Sequence, residues 1–389
     1  MAAPPAERAT LTFWGVRGST PTVDRYTMRY GGNTPCLDLV VPDGTRFILD
    51  CGTGLRMLSK QWSAGAGPIS AHIFVTHYHW DHIQGLPFFS PLYSPQNKFH
   101  FYSFRSDFLG RQSLKRVLEA QMALPYFPVD LSAMSAEREF TEMEGGDQVV
   151  IGDTRVTACH LNHPQGCLGF RFDTTAGSIV YATDYEPGRR EFDAPLRELC
   201  QGADVLVADA QFTPEQVAAE RRGWGHSSWR DSVRLAQVAG VRQLVLFHHD
   251  PDSSDKAVDE ILRQAQGEFE KVCAAAEGMI LEVEPGEVRV KIVVSREIAR
   301  SNTHLLARVA GCTVEGQSFE EEAIVHDLGI KGAFIRLRHA PKLQSTLQVT
   351  LGGLDGGNGF HPVSLRGYVV RIEPMPEENR VGVGLVFTE

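Results

Sequence analysis

Nowhere in these 389 residues does an apolar stretch approach the ~20 residues needed to cross a bilayer, so the sequence offers no helical membrane span and no membrane partner is expected. Met1 to Thr10 has neither the charged region nor the apolar centre of a signal peptide, and a cytoplasmic protein is expected. No CxxC pair occurs among Cys36, Cys51, Cys159, Cys167, Cys200, Cys273 and Cys312, which argues against a zinc knuckle or a disulfide framework and for reduced, mostly buried thiols. Positive charge is in deficit: 38 Lys+Arg against 48 Asp+Glu leave −10, a poor basis for gripping phosphates non-specifically. Nucleic acid is therefore not the expected partner, although a local basic pocket stays open. There is no internal repeat, and Gly352 to Gly359 reads as a flexible hairpin loop. What remains is an ordinary globular balance, 42% hydrophobic and 22% charged, with length for two domains at roughly 100 to 200 residues each.

Several segments share one design, in which a short, often β-branched apolar run leads into an aspartate or histidine. Phe47-Ile48-Leu49 runs into Asp50, Ile73-Phe74-Val75 into His77, Ile179-Val180-Tyr181 towards Asp184, Val205-Leu206-Val207 into Asp209, and Leu244 to Phe247 into His248. Strands ending this way gather polar side chains along one edge of a sheet. Helices are expected between them. Ser228 with Asp231 forms a capping-box start and Gly240 a stop. Others are expected near Ala257 to Ala275 and from Ser113 to Met122, before Pro125. Glu284-Pro285-Gly286-Glu287 marks a boundary, and beyond about Ser295 the pattern becomes short strands with turn signals.

The strongest local signal is His77-Tyr78-His79-Trp80-Asp81-His82, an HxHxDH run that chance would produce roughly once in a thousand such chains. Imidazoles and a carboxylate alternating on a turn suit zinc, or manganese or iron where oxygen donors dominate. The run resembles the signature of the metallo-β-lactamase superfamily. Phe13 to Pro21, Tyr30-Gly31-Gly32-Asn33-Thr34, Leu49 to Gly54, His82 to Pro87, His163-Pro164, Ala182-Thr183-Asp184, Gly225-His226-Ser227-Ser228 and His248 to Pro251 follow in order. Together they resemble the branch containing RNase Z and PhnP-type phosphodiesterases.

That resemblance implies an αββα sandwich over residues 10–284 with two divalent metal ions, zinc foremost. His77, His79 and His163 would hold one, Asp81, His82 and His248 the second, and Asp184 both. It also casts Asp50 as the carboxylate orienting a metal-bound imidazole and places His226 with Asp209 near the leaving group, so that Asp81, Asp50, His226 and Asp209 form the candidate catalytic set. His160 competes weakly with His163, and His249 should point away from His248 on its strand end. Trp80, Trp224 and Tyr185 are candidate pocket walls, or packing residues.

After a linker at 285–295, residues 296–389 resemble a PilZ domain, a small β-barrel. Arg296-Glu297-Ile298-Ala299-Arg300 matches its RxxxR segment, and Asp327-Leu328-Gly329-Ile330-Lys331-Gly332 its D/NxSxxG turn with Gly329 in place of serine. The resemblance implies cyclic di-GMP bound by Arg296, Arg300, Asp327, Gly329 and Gly332. The expected fold is thus α/β followed by an all-β barrel. The expected function is a dinuclear metallohydrolase, a phosphodiesterase acting on a small cyclic phosphodiester or nucleotide and modulated by cyclic di-GMP, with a homodimer among the expected assemblies. The alternatives are a catalytically weak cyclic di-GMP receptor and a lactone or thioester hydrolase on the same metals.

Overall fold

A computed structural model describes residues 8–63, 67–292, 301–329, 332–351, 363–375 and 380–388. The chain divides into two compact units, Met1–Val290 and Lys291–Glu389. In the first unit the strands β1 (Ala9–Gly15), β2 (Cys36–Val40), β3 (Arg46–Leu49), β4 (Ser70–Phe74), β5 (Lys98–Phe104) and β6 (Glu137–Met143) lie side by side in chain order. The next seven, β7 (Gln148–Ile151), β8 (Thr154–Leu161), β9 (Cys167–Thr174), β10 (Gly177–Ala182), β11 (Val205–Asp209), β12 (Gln243–Phe247) and β13 (Val272–Ala274), build a second sheet. Then β14 (Met279–Glu284) and β15 (Glu287–Ile292) return to the edge of the first sheet, beyond β1. Residues 287–292, inside the stretch expected as a linker, are therefore strand, turned back after Gly286 at φ 87°.

Both sheets are parallel where the site will lie: β3, β4, β5 and β6 in one, β10, β11, β12 and β13 in the other. Such strands are covered on both faces, which is why Val205–Asp209 and Gln243–Phe247 are buried at every position. The faces meet through aromatic rings: Phe47 lies 5.3 Å from Phe172, and Phe74 lies 5.1 Å from Phe170. On their outer faces lie the helices. On the first sheet these are α1 (Leu55–Ser63) and α3 (Ser113–Gln121), with the short α2 (Trp80–Ile83) between them in sequence. On the second are α4 (Arg190–Cys200), α6 (Trp229–Ala239) and α7 (Asp255–Glu268), with the one-turn α5 (Pro214–Gln216) preceding α6.

The α6 boundaries follow the sequence chemistry. Ser228 and Asp231 form a capping box, and Gly240 closes the helix in the left-handed region at φ 65°. The helix expected to reach Ala275 instead stops at Glu268. Val272-Cys273-Ala274 gain more as a strand beside Leu244-Val245-Leu246 than as a further helical turn, an outcome that local propensity does not reveal. Strands expected to gather on one sheet edge are divided between two. Their carboxyl ends converge all the same, because Asp50 and His77 follow the first sheet while Asp184, Asp209 and His248 follow or end the second.

The second unit is a closed six-stranded barrel of β16 (Ser301–Cys312), β17 (Ser318–Gly329), β18 (Gly332–Leu337), β19 (Thr346–Leu351), β20 (Val363–Met375) and β21 (Arg380–Thr388). The pairing of β16 with β19 completes it. Alternate residues such as Val309, Val325, Ile335, Val349, Val369 and Leu385 fill the interior.

Candidate metal centre

Most of the candidate side chains follow the end of a strand, whereas Asp81 and His82 sit on the short α2 and His226 on the loop before α6. Asp50, Asp184 and His248 adopt left-handed backbone at φ 58°, 54° and 59°, a conformation costly for residues with side chains and characteristic of functional sites. The HxHxDH run follows β4 and leads into α2, so His77 and His79 precede the helix while Asp81 and His82 sit within it.

Two groups of donor atoms result. In the first, His79 Nδ1 lies 3.0 Å from His77 Nε2 and 3.1 Å from His163 Nε2, with Asp184 Oδ1 at 3.7 and 3.8 Å from the latter two. In the second, His82 Nε2 lies 3.2 Å from Asp81 Oδ2, 3.3 Å from His248 Nε2 and 3.3 Å from Asp184 Oδ2. His248 Nε2 is 3.2 Å from Asp81 Oδ2 and 3.4 Å from Asp184 Oδ2. A tetrahedron with ligands at about 2.0–2.1 Å from its centre has edges near 3.3–3.4 Å, so the four donors of the second group are spaced for a small divalent ion. Asp184 turns one oxygen to each group. The donor set therefore fits two divalent ions.

The tautomers agree with that fit. A ligating imidazole must present a bare nitrogen, and a hydrogen bond from its other nitrogen secures this. All five histidines have an acceptor there. His77 Nδ1 meets Thr76 Oγ1 at 3.0 Å, His79 Nε2 meets Gln165 Oε1 at 3.0 Å, and His82 Nδ1 meets Asp50 Oδ2 at 2.8 Å. His163 Nδ1 meets the Gly225 carbonyl at 2.8 Å, and His248 Nδ1 meets Gln211 Oε1 at 3.2 Å. Asp50 is itself secured by Thr76 and by the Tyr181 hydroxyl at 2.8 Å.

Electrostatics point the same way. Burial lowers the pKa of His77 and takes that of His163 down to about 4, favouring the neutral ligand form. Burial opposes charge on His82 too, but Asp81, Asp184 and Asp50 outweigh it and raise its pKa well above the usual value. Burial likewise opposes ionisation of Asp184, yet His248, His82 and His77 hold it well below the ordinary carboxylate range. This is a buried, electron-rich centre that stabilises positive charge.

Beside it stands His226, its Nδ1 2.7 Å from Asp209 Oδ2 and its ring stacked on His248 at 5.1 Å. Burial disfavours the charged ring, but Asp209 outweighs that penalty and lifts the pKa to about 9. Glu186, which carries no sequence signal, accepts hydrogen bonds from Gly223 N and Gly225 N and so shapes the loop reaching both His163 and His226. Thr76, Tyr181, Gln165 and Gln211 were equally invisible, because their roles depend on partners distant in the chain.

Of the proposed site residues in the first unit, all are thus brought together, with Asp50 behind His82 rather than at the reacting position. His160 lies apart, 3.3 Å from Glu144, and His249 turns away to the Ala275 carbonyl at 2.8 Å. Trp80 lines the adjoining cleft, Trp224 is exposed under Arg221, and Tyr185 points its hydroxyl to Asp193. In the barrel, Asp327 and Gly329 close β17, and Gly329 pairs with Gly332. A side chain at 332 would meet the Leu385 carbonyl at 2.1 Å. Arg296 and Arg300 lie outside the described residues.

Residues 45–249 match the family model of the beta-lactamase superfamily domain and residues 284–389 that of the PilZ domain. Ribonuclease Z of Haloarcula marismortui is 25% identical over 70% of this chain and 96% of its own length, and that of Haloferax volcanii is 27% identical over 70% and 94%. Relatives whose name is ribonuclease Z remove the ground for setting nucleic acid aside, since net charge says nothing about one local surface. Among solved structures, a diphosphatase from the PhnP family superposes with TM-score 0.54 at 21% identity over 72% of this chain and 98% of that one. The metallo-beta-lactamase fold protein YhfI from Bacillus subtilis gives 0.53 at 17% identity, over 71% of this chain and all of its own. With its family match over half its length, its two-sheet sandwich and its His/Asp centre, this chain belongs to the metallo-β-lactamase superfamily and carries a C-terminal PilZ domain.

Proposed function

We propose that the chain is a metal-dependent phosphodiesterase using two divalent ions, zinc foremost because imidazoles dominate the donor set. In this reading His77, His79 and His163 hold one ion, Asp81, His82 and His248 the other, and Asp184 both. The observation that carries it is the carboxylate of Asp184 divided between two donor groups, with the His226–Asp209 pair alongside. When bound, such ions supply Lewis acidity toward a phosphoryl oxygen and lower the pKa of a water. The residues do the rest: Asp50, Thr76, Gln165, Gln211 and the Gly225 carbonyl hold the imidazoles in register. Asp209 holds His226 as the proton donor to a departing alkoxide. Turnover of bis(p-nitrophenyl) phosphate with Zn or Mn is expected to fall in His79→Ala and Asp184→Ala; unchanged turnover in both removes the site. Lactone turnover exceeding phosphodiester turnover at matched metal loading would favour an acyl hydrolase instead.

For the barrel we propose cyclic di-GMP as ligand, supported by the PilZ match and the closed six-stranded form. In this reading Arg296 and Arg300 would fork its phosphates. Calorimetry on wild type and Arg296→Ala tests this: heat of binding in the first and its loss in the second are expected, and no heat in the wild type rejects it.

A further inference from the structure

Next to the metal centre a cleft of about 820 Å³ opens, with His77 and His79 in its wall. Its size lies in the range of small-molecule sites, ~300–1,000 Å³. The outer wall is α3, whose two faces have different tasks. Ser113, Leu114 and Leu118 are buried; Arg116 and Ala120 are exposed along the cleft, and Val117 and Gln121, half-buried beside the core residues, line it as well. Phe104, at the end of β5, Phe108 just beyond it, and Tyr126, after α3, add rings, and Trp80 follows the ligand candidate His79 directly.

The charge content is sparse. Among the described residues, no carboxylate lines the cleft, and one guanidinium does, that of Arg116, which donates to the Leu109 carbonyl at 2.6 Å. A polynucleotide held through its phosphates needs several cations, and this surface offers one. Trp80, Phe108 and Tyr126 are 81%, 77% and 83% exposed, which for rings gathered around one cleft marks a surface built to cover an apolar group.

We propose that this cleft receives a flat aromatic ester group of the substrate while its phosphoryl group sits at the metal centre. The proposal rests on the phosphodiesterase reading and narrows it to small aryl-type phosphodiesters. The occupant is the substrate rather than another protein because the cleft runs into the ligand histidines themselves.

The test is calorimetry on the full-length, zinc-loaded protein with phenylphosphonate and methylphosphonate, in wild type and in Ala120→Trp, which fills the cleft from an exposed helix position. Phenylphosphonate is expected to bind about tenfold or more tightly than methylphosphonate to wild type, and the ratio to fall within about twofold in Ala120→Trp. Equal affinities in wild type, absence of binding by either, or a preference that survives Ala120→Trp overturns the proposal. Concentration-dependent dimerisation abolished by Ala120→Trp, without a phenyl preference, assigns the rings to a second copy and likewise overturns it. Hydrolysis of methyl p-nitrophenyl phosphate, measured separately from the phosphonate binding, separates the two readings. A phenyl preference in phosphonate binding without hydrolysis sinks the phosphodiesterase and leaves the cleft; hydrolysis without any phenyl preference in phosphonate binding does the reverse.

Discussion

Replacing Asp50 by asparagine probes how the centre is held, without touching its donor atoms. Asparagine tolerates the left-handed backbone at φ 58° as well as aspartate does, so no strain is added. The hydrogen bonding is what changes. One Asp50 oxygen accepts from Thr76 N at 2.8 Å; the other accepts from His82 Nδ1 and the Tyr181 hydroxyl, both at 2.8 Å. An amide can satisfy only one side. With its NH2 toward His82, two donors face each other and the imidazole is driven to the tautomer that withdraws its bare nitrogen from the second donor group. With its NH2 toward Thr76, a backbone N–H is left buried and opposed. Loss of such an orienting partner reduces metal affinity by about 10- to 100-fold. That corresponds to about 1.4–2.7 kcal/mol. Chelator competition on the zinc-loaded variant is therefore expected to show one ion released at 10- to 100-fold lower chelator strength than in wild type, with the other retained. Two ions held with wild-type affinity would refute the argument that Asp50 acts through His82.

Three further outcomes follow from the geometry. His226→Ala should retain both metals yet lose about 10²–10⁴-fold in turnover of alkyl phosphodiesters, whose leaving group needs a proton, and far less with p-nitrophenyl esters; equal losses on both would deny His226 the role of acid. Gly225→Ala would place a Cβ 2.3 Å from His163 Nδ1 and from Pro164 Cδ at φ 85°. It should cost about 1–3 kcal/mol in a denaturant titration and weaken the first donor group, and a wild-type midpoint would contradict this. Asp38 is buried, with Arg46 at 3.7 Å only partly offsetting burial, and its pKa is raised from 3.8 to about 6. Its folded form thus binds the proton more tightly than its unfolded form, so its stabilising contribution is full below pH 3.8 and lost as pH rises through about 6. Asp38→Asn should gain on wild type by about 1–3 kcal/mol between pH 4 and pH 7.5, and a pH-independent difference between the two proteins would count against the buried charge.

The reach of one-dimensional reading differs between parts of the molecule. Apolar runs ending in Asp50, His77, Asp184, Asp209 and His248 were legible because a buried parallel strand must be apolar throughout and can present polar groups only at its end. The capping box at Ser228 and the stop at Gly240 were legible because caps act within one turn of chain. The strand at 287–292 and the early end of α7 were not, since both depend on an edge or neighbour supplied by residues far away.

Residue types and spacing were enough to mark the HxHxDH run as a metal-site candidate, because nitrogen and oxygen donors in that pattern have few other uses; the distant His163, Asp184 and His248 became ligand candidates only through the family resemblance. The division into two groups with Asp184 between them was implied by the resemblance alone; the donor spacings and which nitrogen each ring offers depended on the packing of one sheet against another. Donor spacings of 3.0–3.4 Å and the five acceptors behind the rings join residues up to 167 positions apart. A pattern along the chain records no such distances; only the folded sandwich, with its left-handed turns at Asp50, Asp184 and His248, sets them.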